Sequence, residues 1–195
     1  MMWLVFGAAA FAADLDLAAE IGAAPLTDSA FDRFGESNAL FVFGGRGGVA
    51  LTDALTVQLA AHHGYKGADW YSGETYLGAG AFFATDASLG FEAVVPVNEF
   101  FAVGGVASGG MILGRTRLDS DPDNKDSTVE ITETAVAPTL RTALVTRFTV
   151  PNATQVPLQL RVSLGYQWSS QLTFGELGDA ALRGMSFRLA FGVQL

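Results

Sequence analysis

The chain has 195 residues and a net charge of -9, with 50% hydrophobic and only 16% charged residues. That balance argues against a nucleic-acid partner, because phosphate binding needs clustered Lys and Arg and the lysines here are Lys66 and Lys125 alone. The absence of cysteine removes a thiol nucleophile, a disulfide and a Cys-ligated metal.

Residues 1–12 hold a short apolar core that ends in Ala10-Phe11-Ala12, the small-x-small pattern of a secretory cleavage site, although no Lys or Arg precedes it. A signal peptide over 1–12 and one mature domain over 13–195 are therefore expected. From Leu15 the pattern becomes period two: Leu15, Leu17, Ala19, Ile21 and Ala23 alternate with Asp16, Ala18, Glu20 and Gly22, as in a strand with one oily face. A polar loop is expected over 27–38. A second strand over 39–51 puts Phe41, Phe43, Val49 and Leu51 on one face, with Arg46 and several glycines on the other. Thr52-Asp53-Ala54 makes a tight turn. A third strand alternates Leu55, Val57, Leu59 and Ala61 against Thr56, Gln58, Ala60 and His62, before an expected outer loop over 66–73.

Residues 74–97 keep their odd-numbered apolar positions in one phase for 24 residues, too long for one membrane span. Either one strand extends beyond the bilayer, or Thr85-Asp86-Ala87 turns and divides it. Further strands are expected over 100–114, 134–148, 155–168 and 183–195, with a turn at Val150-Pro151-Asn152. A barrel with both ends of the chain on one side needs an even strand number, so the long segment is kept whole and the count is eight, with ten as the alternative. No helical span competes, because the longest stretch free of Asp, Glu, Lys and Arg, 100–114, contains five glycines, where a helix would need about 20 apolar residues.

The expected fold is all-β: a transmembrane antiparallel up-and-down barrel. A soluble eight-stranded binder would show the same periodicity with its faces reversed. The minor face decides for lipid outside, since Glu20, Arg46, Glu92, Arg141, Arg147, Arg161 and Arg188 alternate there with Gly and Ser, as a narrow polar lumen requires. The final row Phe187, Leu189, Phe191, Val193 and Leu195 then faces lipid, with Arg188 aimed inward towards Glu20.

From the first strand to that terminal row the chain resembles the small outer-membrane β-barrels of Gram-negative bacteria, the group of the OmpA transmembrane domain, OmpX and OmpW. The resemblance implies residence in the bacterial outer membrane among lipopolysaccharide. It also implies insertion by the barrel-assembly machinery, which reads the terminal row, although Leu195 stands where the family usually ends in Phe.

Three sets of residues could carry chemistry. The inward charges form either a salt-bridge network that fills the lumen or the lining of a narrow, anion-preferring pore for small solutes. Asp119, Asp121 and Asp123, with Glu130 eleven residues after the first, match the oxygen-ligand spacing of a calcium loop, within an expected outer loop over 115–133; Asn124 replaces the usual glycine. A solvated acidic loop is the plainer reading. His62, Ser72 and Glu74 could supply the Ser-His-carboxylate set of a lipid A deacylase, but Gly64 stands where that enzyme's motif has serine. His62 and His63 are therefore expected at the interface or facing a loop. The expected function is a non-enzymatic, monomeric anchor without cofactor. Its outer loops, over 27–38, 66–73, 115–133 and 169–181, would meet lipopolysaccharide, the cell surface or a partner.

Overall fold

A computed structural model describes residues 14–26, 28–34, 39–72, 75–120, 129–150, 157–176 and 178–195. The expected leader over 1–12, Asp121, Asp123, Glu74 and the Pro151-Asn152 turn lie outside them. The barrel strands in chain order are β1 (Leu15–Pro25), β2 (Ala39–Thr52), β3 (Leu55–Ser72), β4 (Thr75–Asn98), β5 (Phe101–Ser120), β6 (Val129–Val150), β7 (Leu158–Ser169) and, after a small hairpin of β8 (Leu172–Phe174) and β9 (Gly178–Ala180), β10 (Arg183–Gln194). Each barrel strand pairs antiparallel with its neighbours, and β10 closes on β1 to make a ring of eight. Closure leaves no unpaired edge, the condition for a sheet to stand in hydrocarbon.

The seam is in register from Asp16 opposite Gln194 to Ala23 opposite Phe187. Leu15 and Leu195 exchange main-chain hydrogen bonds of 3.0 and 2.8 Å at its end. Tight turns lie on that same side of the barrel. Thr52 Oγ1 accepts from the amides of Ala54 and Leu55 between β2 and β3, and Asn98 Oδ1 accepts from Phe100 N between β4 and β5. Both are side-chain-stabilised turns of the kind Thr and Asn favour. The β1–β2, β5–β6 and β7–β10 connections, all of eight residues or more, leave from the opposite, outer end.

Alternation sorts the side chains. Large apolar residues such as Leu59, Leu89, Leu144, Phe187 and Phe191 stand exposed on the outside, while Glu20, Arg46, Glu92, Arg161 and Arg188 are buried inside. Burying charges while exposing leucines is stable only where the surrounding medium is apolar, so the outer surface faces lipid. Aromatic side chains mark its outer limit: Tyr65 packs on Phe83 with ring centroids 5.2 Å apart, and Tyr166 and Trp168 are exposed on β7.

The long middle segment is one strand, as expected, while three expected outer loops change. β4 runs unbroken past Thr85-Asp86-Ala87, so no turn forms there and the count is eight. Residues 66–72 continue β3 rather than forming a loop, and most of 115–133 continues β5 and β6, because the ladder pairs Trp70 with Gly78 and Asp119 with Glu130. The four strands β3 to β6 thus rise as a sheet beyond the shorter β1, β2, β7 and β10. Residues 169–181 are not a free loop either, since β8 and β9 pack into the mouth of the barrel.

Candidate functional site

The inside of the barrel has two storeys, both lined by inward-facing positions. In the lower one Glu20, on β1, is the centre of a charge cluster. Arg161 Nη1 donates to its Oε1 at 2.8 Å, Arg46 Nε lies 3.3 Å from the same oxygen, and His62 Nε2 is 2.7 Å from Oε2. Arg188 Nη1 stands 3.7 Å from Oε2, across the β1–β10 seam. Glu92 makes a second centre, held by Arg147 and by Arg161 Nη2 at 2.6 Å, while Arg46 Nη2 reaches Asp16 at 2.9 Å. Six of the seven lumen charges read from the sequence are therefore joined by ion pairs in the interior, together with Asp16, Asp86 and His62, and the seventh, Arg141, is buried as well. Arg141 stands apart: it donates to the hydroxyls of Ser163 at 2.7 Å and Ser186 at 3.4 Å rather than to a carboxylate.

Glycines make space for this layer. A Cβ on Gly22 would come within 2.1 Å of the Phe187 carbonyl and 3.0 Å of the Arg188 side chain, and one on Gly44 would sit 2.9 Å from the His62 ring. Each faces a bulky charged neighbour across the ladder, Gly22 opposite Arg188 and Gly44 opposite His62. Glycine at these two positions thus admits a close approach of the neighbouring main chain as well as the bulk of the facing side chain.

His62 corrects an expectation. It is neither interfacial nor loop-facing but buried in the centre of the lumen, its second nitrogen 3.3 Å from Asp86 Oδ2 on the directly paired position of β4. Only His63 points outward, between the rings of Phe43 and Phe83. Ser72 is ten positions further along the same strand as His62, about 33 Å at strand rise. Ser72 and His62 cannot form a nucleophile-base pair. The signal for His62 and Asp86 was present, since both fall in the inward phase of their strands.

The upper storey is apolar. Phe82, Leu40, Val42, Ile112, Ala135 and Ala137 face in from the strands. Onto them pack Phe31 and Phe34 from a 3-10 turn (Ser29–Phe34) of the first outer connection, and Leu172 and Phe174 from β8. Phe82 is fully buried, with Phe31 4.8 Å and Phe34 6.0 Å away between ring centroids. Two polar groups tie the plug down. Lys66 Nζ donates to the Phe31 carbonyl at 3.2 Å, and Asp28 accepts from Ala30 N at 3.0 Å and Ala181 N at 3.2 Å, linking the first and last outer connections.

On the outside of the rising sheet, Asp119 and Glu130 are directly paired across β5 and β6, but Arg117 Nε lies between them, 3.1 and 3.3 Å away. A cation already stands where calcium would meet the two described members of the expected ligand set. Among the described residues no group of three or more His, Cys, Asp or Glu is placed to hold a metal ion. Arg115, two positions below, is exposed and has no polar partner among the described residues.

A closed eight-stranded ring, lipid-facing outside and charged within, defines a membrane-spanning β-barrel of the smallest kind. The chain has the fold of the outer-membrane barrels of the OmpA, OmpX and Ail type. Among solved structures it is similar to Ail, the attachment invasion locus protein of Yersinia pestis, in complex with the heparin analogue sucrose octasulfate. The TM-score is 0.54 at 13% identity, over 94% of this chain and 99% of that one. It is similar also to the outer membrane protein OprG of Pseudomonas aeruginosa, with a TM-score of 0.50 at 12% identity over 94% and 96% of the two chains. No family model matches the sequence, and no curated protein does.

Proposed function

We propose that the protein is a non-enzymatic, non-conducting barrel of the bacterial outer membrane whose body serves as an anchor and whose outer end makes the functional contacts. The observation that carries this reading is the filled interior. A solute entering from outside meets the Phe31-Phe34-Phe82-Phe174 plug, and beyond it the ion pairs around Glu20 and Glu92. Two consecutive closures of opposite chemistry suit an anchor and oppose a small-solute pore. Purified protein in planar bilayers is expected to stay silent under voltage; discrete openings would establish the pore instead.

The outer end offers two surfaces for contact: the sheet of β3 to β6 that stands beyond the bilayer, and the arginines at its base. Arg115 stands opposite Phe83 of the Tyr65-Phe83 aromatic pair and Arg117 two positions beyond it, at headgroup height, where phosphate groups of lipopolysaccharide lie. A polyanion complex has been solved for Ail, a barrel of this fold. Fluorescent lipopolysaccharide is expected to bind the folded protein in detergent and to lose several-fold in affinity with Arg115→Ala; equal binding by the variant would move the contact elsewhere. The outward row Phe187, Leu189, Phe191, Val193 and Leu195 is, on the same reading, the segment by which the insertion machinery receives the chain.

A further inference from the structure

We infer that the lumen holds a buried monatomic anion, chloride in the cell, between Arg141 and Arg188. The first ground is charge. Four carboxylates, Asp16, Glu20, Asp86 and Glu92, face five guanidiniums, Arg46, Arg141, Arg147, Arg161 and Arg188, before His62 is considered. The carboxylates are taken up by Arg46, Arg147, Arg161, Arg188 and His62, which leaves Arg141 with hydroxyls as its hydrogen-bond partners. A buried cation without a counter-charge is costly, and a mobile anion removes that cost.

The second ground is space and direction. A small, partly open cavity lies in this part of the lumen, bordered by Arg141, Arg188, Ser88, Ser108, Thr139, Gln167 and Asp86. Its volume of about 10 Å³ is room for one water-sized particle, too little for phosphate or sulfate, and a chloride is seated there once the bordering hydroxyl and amide side chains give way slightly. Arg188 has a side chain only 3% exposed, and its Nε has no partner. Gln167 Oε1 is also unpartnered, and turning the amide presents its N–H donors in place of the oxygen. The serine hydroxyls supply further donors. Asp86 is the one group that would repel the ion, and its carboxylate is already engaged by His62 at 3.3 Å and Arg188 Nη2 at 3.9 Å. The site is thus a donor-lined pocket beside the one described lumen arginine without a carboxylate partner, and it works as the missing member of the ion-pair layer.

Protein refolded and crystallised in sodium bromide tests the inference directly. One anomalous bromine peak is expected inside the lumen, within hydrogen-bond distance of Arg141, and none there for Arg141→Met. A lumen without a peak in the unaltered protein, or with bromide only on the outer surface, overturns it. A solution measurement stands beside it. Thermal unfolding in chloride against gluconate at equal ionic strength is expected to raise the midpoint of the unaltered protein by several degrees and to leave Arg141→Met unmoved, because ligand that binds only the folded state stabilises it. The variant in gluconate should be at least as stable as the unaltered protein in gluconate, since it sheds an uncompensated charge. An equal chloride shift in both proteins, or a variant weakened to the same extent in both salts, would show that Arg141 serves its serine hydrogen bonds alone.

Discussion

Around Glu20 the barrel wall is braced from within by charges, and Glu20 alone answers to four others on four different strands. Around Phe82, a few residues further out along the same walls, it is filled by rings that come partly from the strands and partly from the outer connections. The lower storey belongs wholly to the strands, so nothing in it can leave without disturbing the barrel. The upper storey borrows Phe31, Phe34, Leu172 and Phe174 from segments that could lift away while the ring stays closed. Two ways of filling one lumen thus have different consequences: the charge layer is coupled to global stability, and the plug to local opening.

The sharpest way to break the comparison is at Glu20. Replacing it with Ala leaves Arg46, Arg161 and His62 buried with a partner missing, and removal of one member of a buried pair costs about 3–5 kcal/mol. Urea unfolding of the folded protein in lipid should show that loss across the whole transition, because side chains of β2, β3, β7 and β10 all meet this one carboxylate of β1. A variant within 1 kcal/mol of the unaltered protein, on the scale of a surface pair, would mean that the layer is hydrated and weak. Phe31→Ala should act differently. It removes a fully buried ring, for which a rigid core would lose about 3–5 kcal/mol, but the 3-10 turn can detach instead of unfolding the barrel. The global transition is expected to move by less than half of that. Protease cleavage within the first outer connection should rise several-fold. If the global transition falls as far as for Glu20→Ala, the two storeys are one cooperative unit.

Smaller still is Asp28→Ala. Its two hydrogen bonds join the 3-10 turn to the segment after β9, and loss of such a side-chain cap costs about 1 kcal/mol. Hydrogen exchange at Ala30 and Ala181 should quicken with no change at the seam pair Leu15 and Leu195. Faster exchange at the seam would show that the plug supports the closure of the ring.

The lower storey was largely legible in the sequence and the upper one was not, for a physical reason. A charge in the minor phase of an apolar strand has one sensible place in a membrane barrel, so Glu20, Arg46, Arg161 and Arg188 announce their face by themselves. Phase does not name partners, however: that His62 lies opposite Asp86 follows from the β3–β4 register, which is set by the hairpin at the other end of both strands. The plug left a weaker trace. In Leu40-Phe41-Val42-Phe43 and Met111-Ile112-Leu113 alternation gives way to unbroken apolar runs, the mark of strands buried on both faces. What those runs meet is contributed by Phe31 and Phe174 in segments that look like polar loops, and only tertiary folding brings them back. The same limit applied to residues 115–120 and 129–133. Their charges suggested solvent, which is correct, but solvent at the face of a sheet and not around a loop.

The smallest expected effect lies outside both storeys and measures how far their logic extends. Arg117 touches two carboxylates, as Arg161 does, at 3.1 and 3.3 Å. Counted as contacts, the two arginines look alike. Their settings differ: the Arg117 side chain is 52% exposed and Glu130 is 55% exposed, whereas Arg161 is 2% exposed and its partner Glu92 is 0% exposed. In water the desolvation that makes a lost partner costly has never been incurred, and salt screens what attraction remains. Arg117→Ala should therefore change unfolding by less than about 1 kcal/mol, with any difference disappearing as salt is raised. A loss comparable to that from Glu20→Ala would mean that the rising sheet of β3 to β6 is a third structural storey rather than a solvated surface free to make contacts.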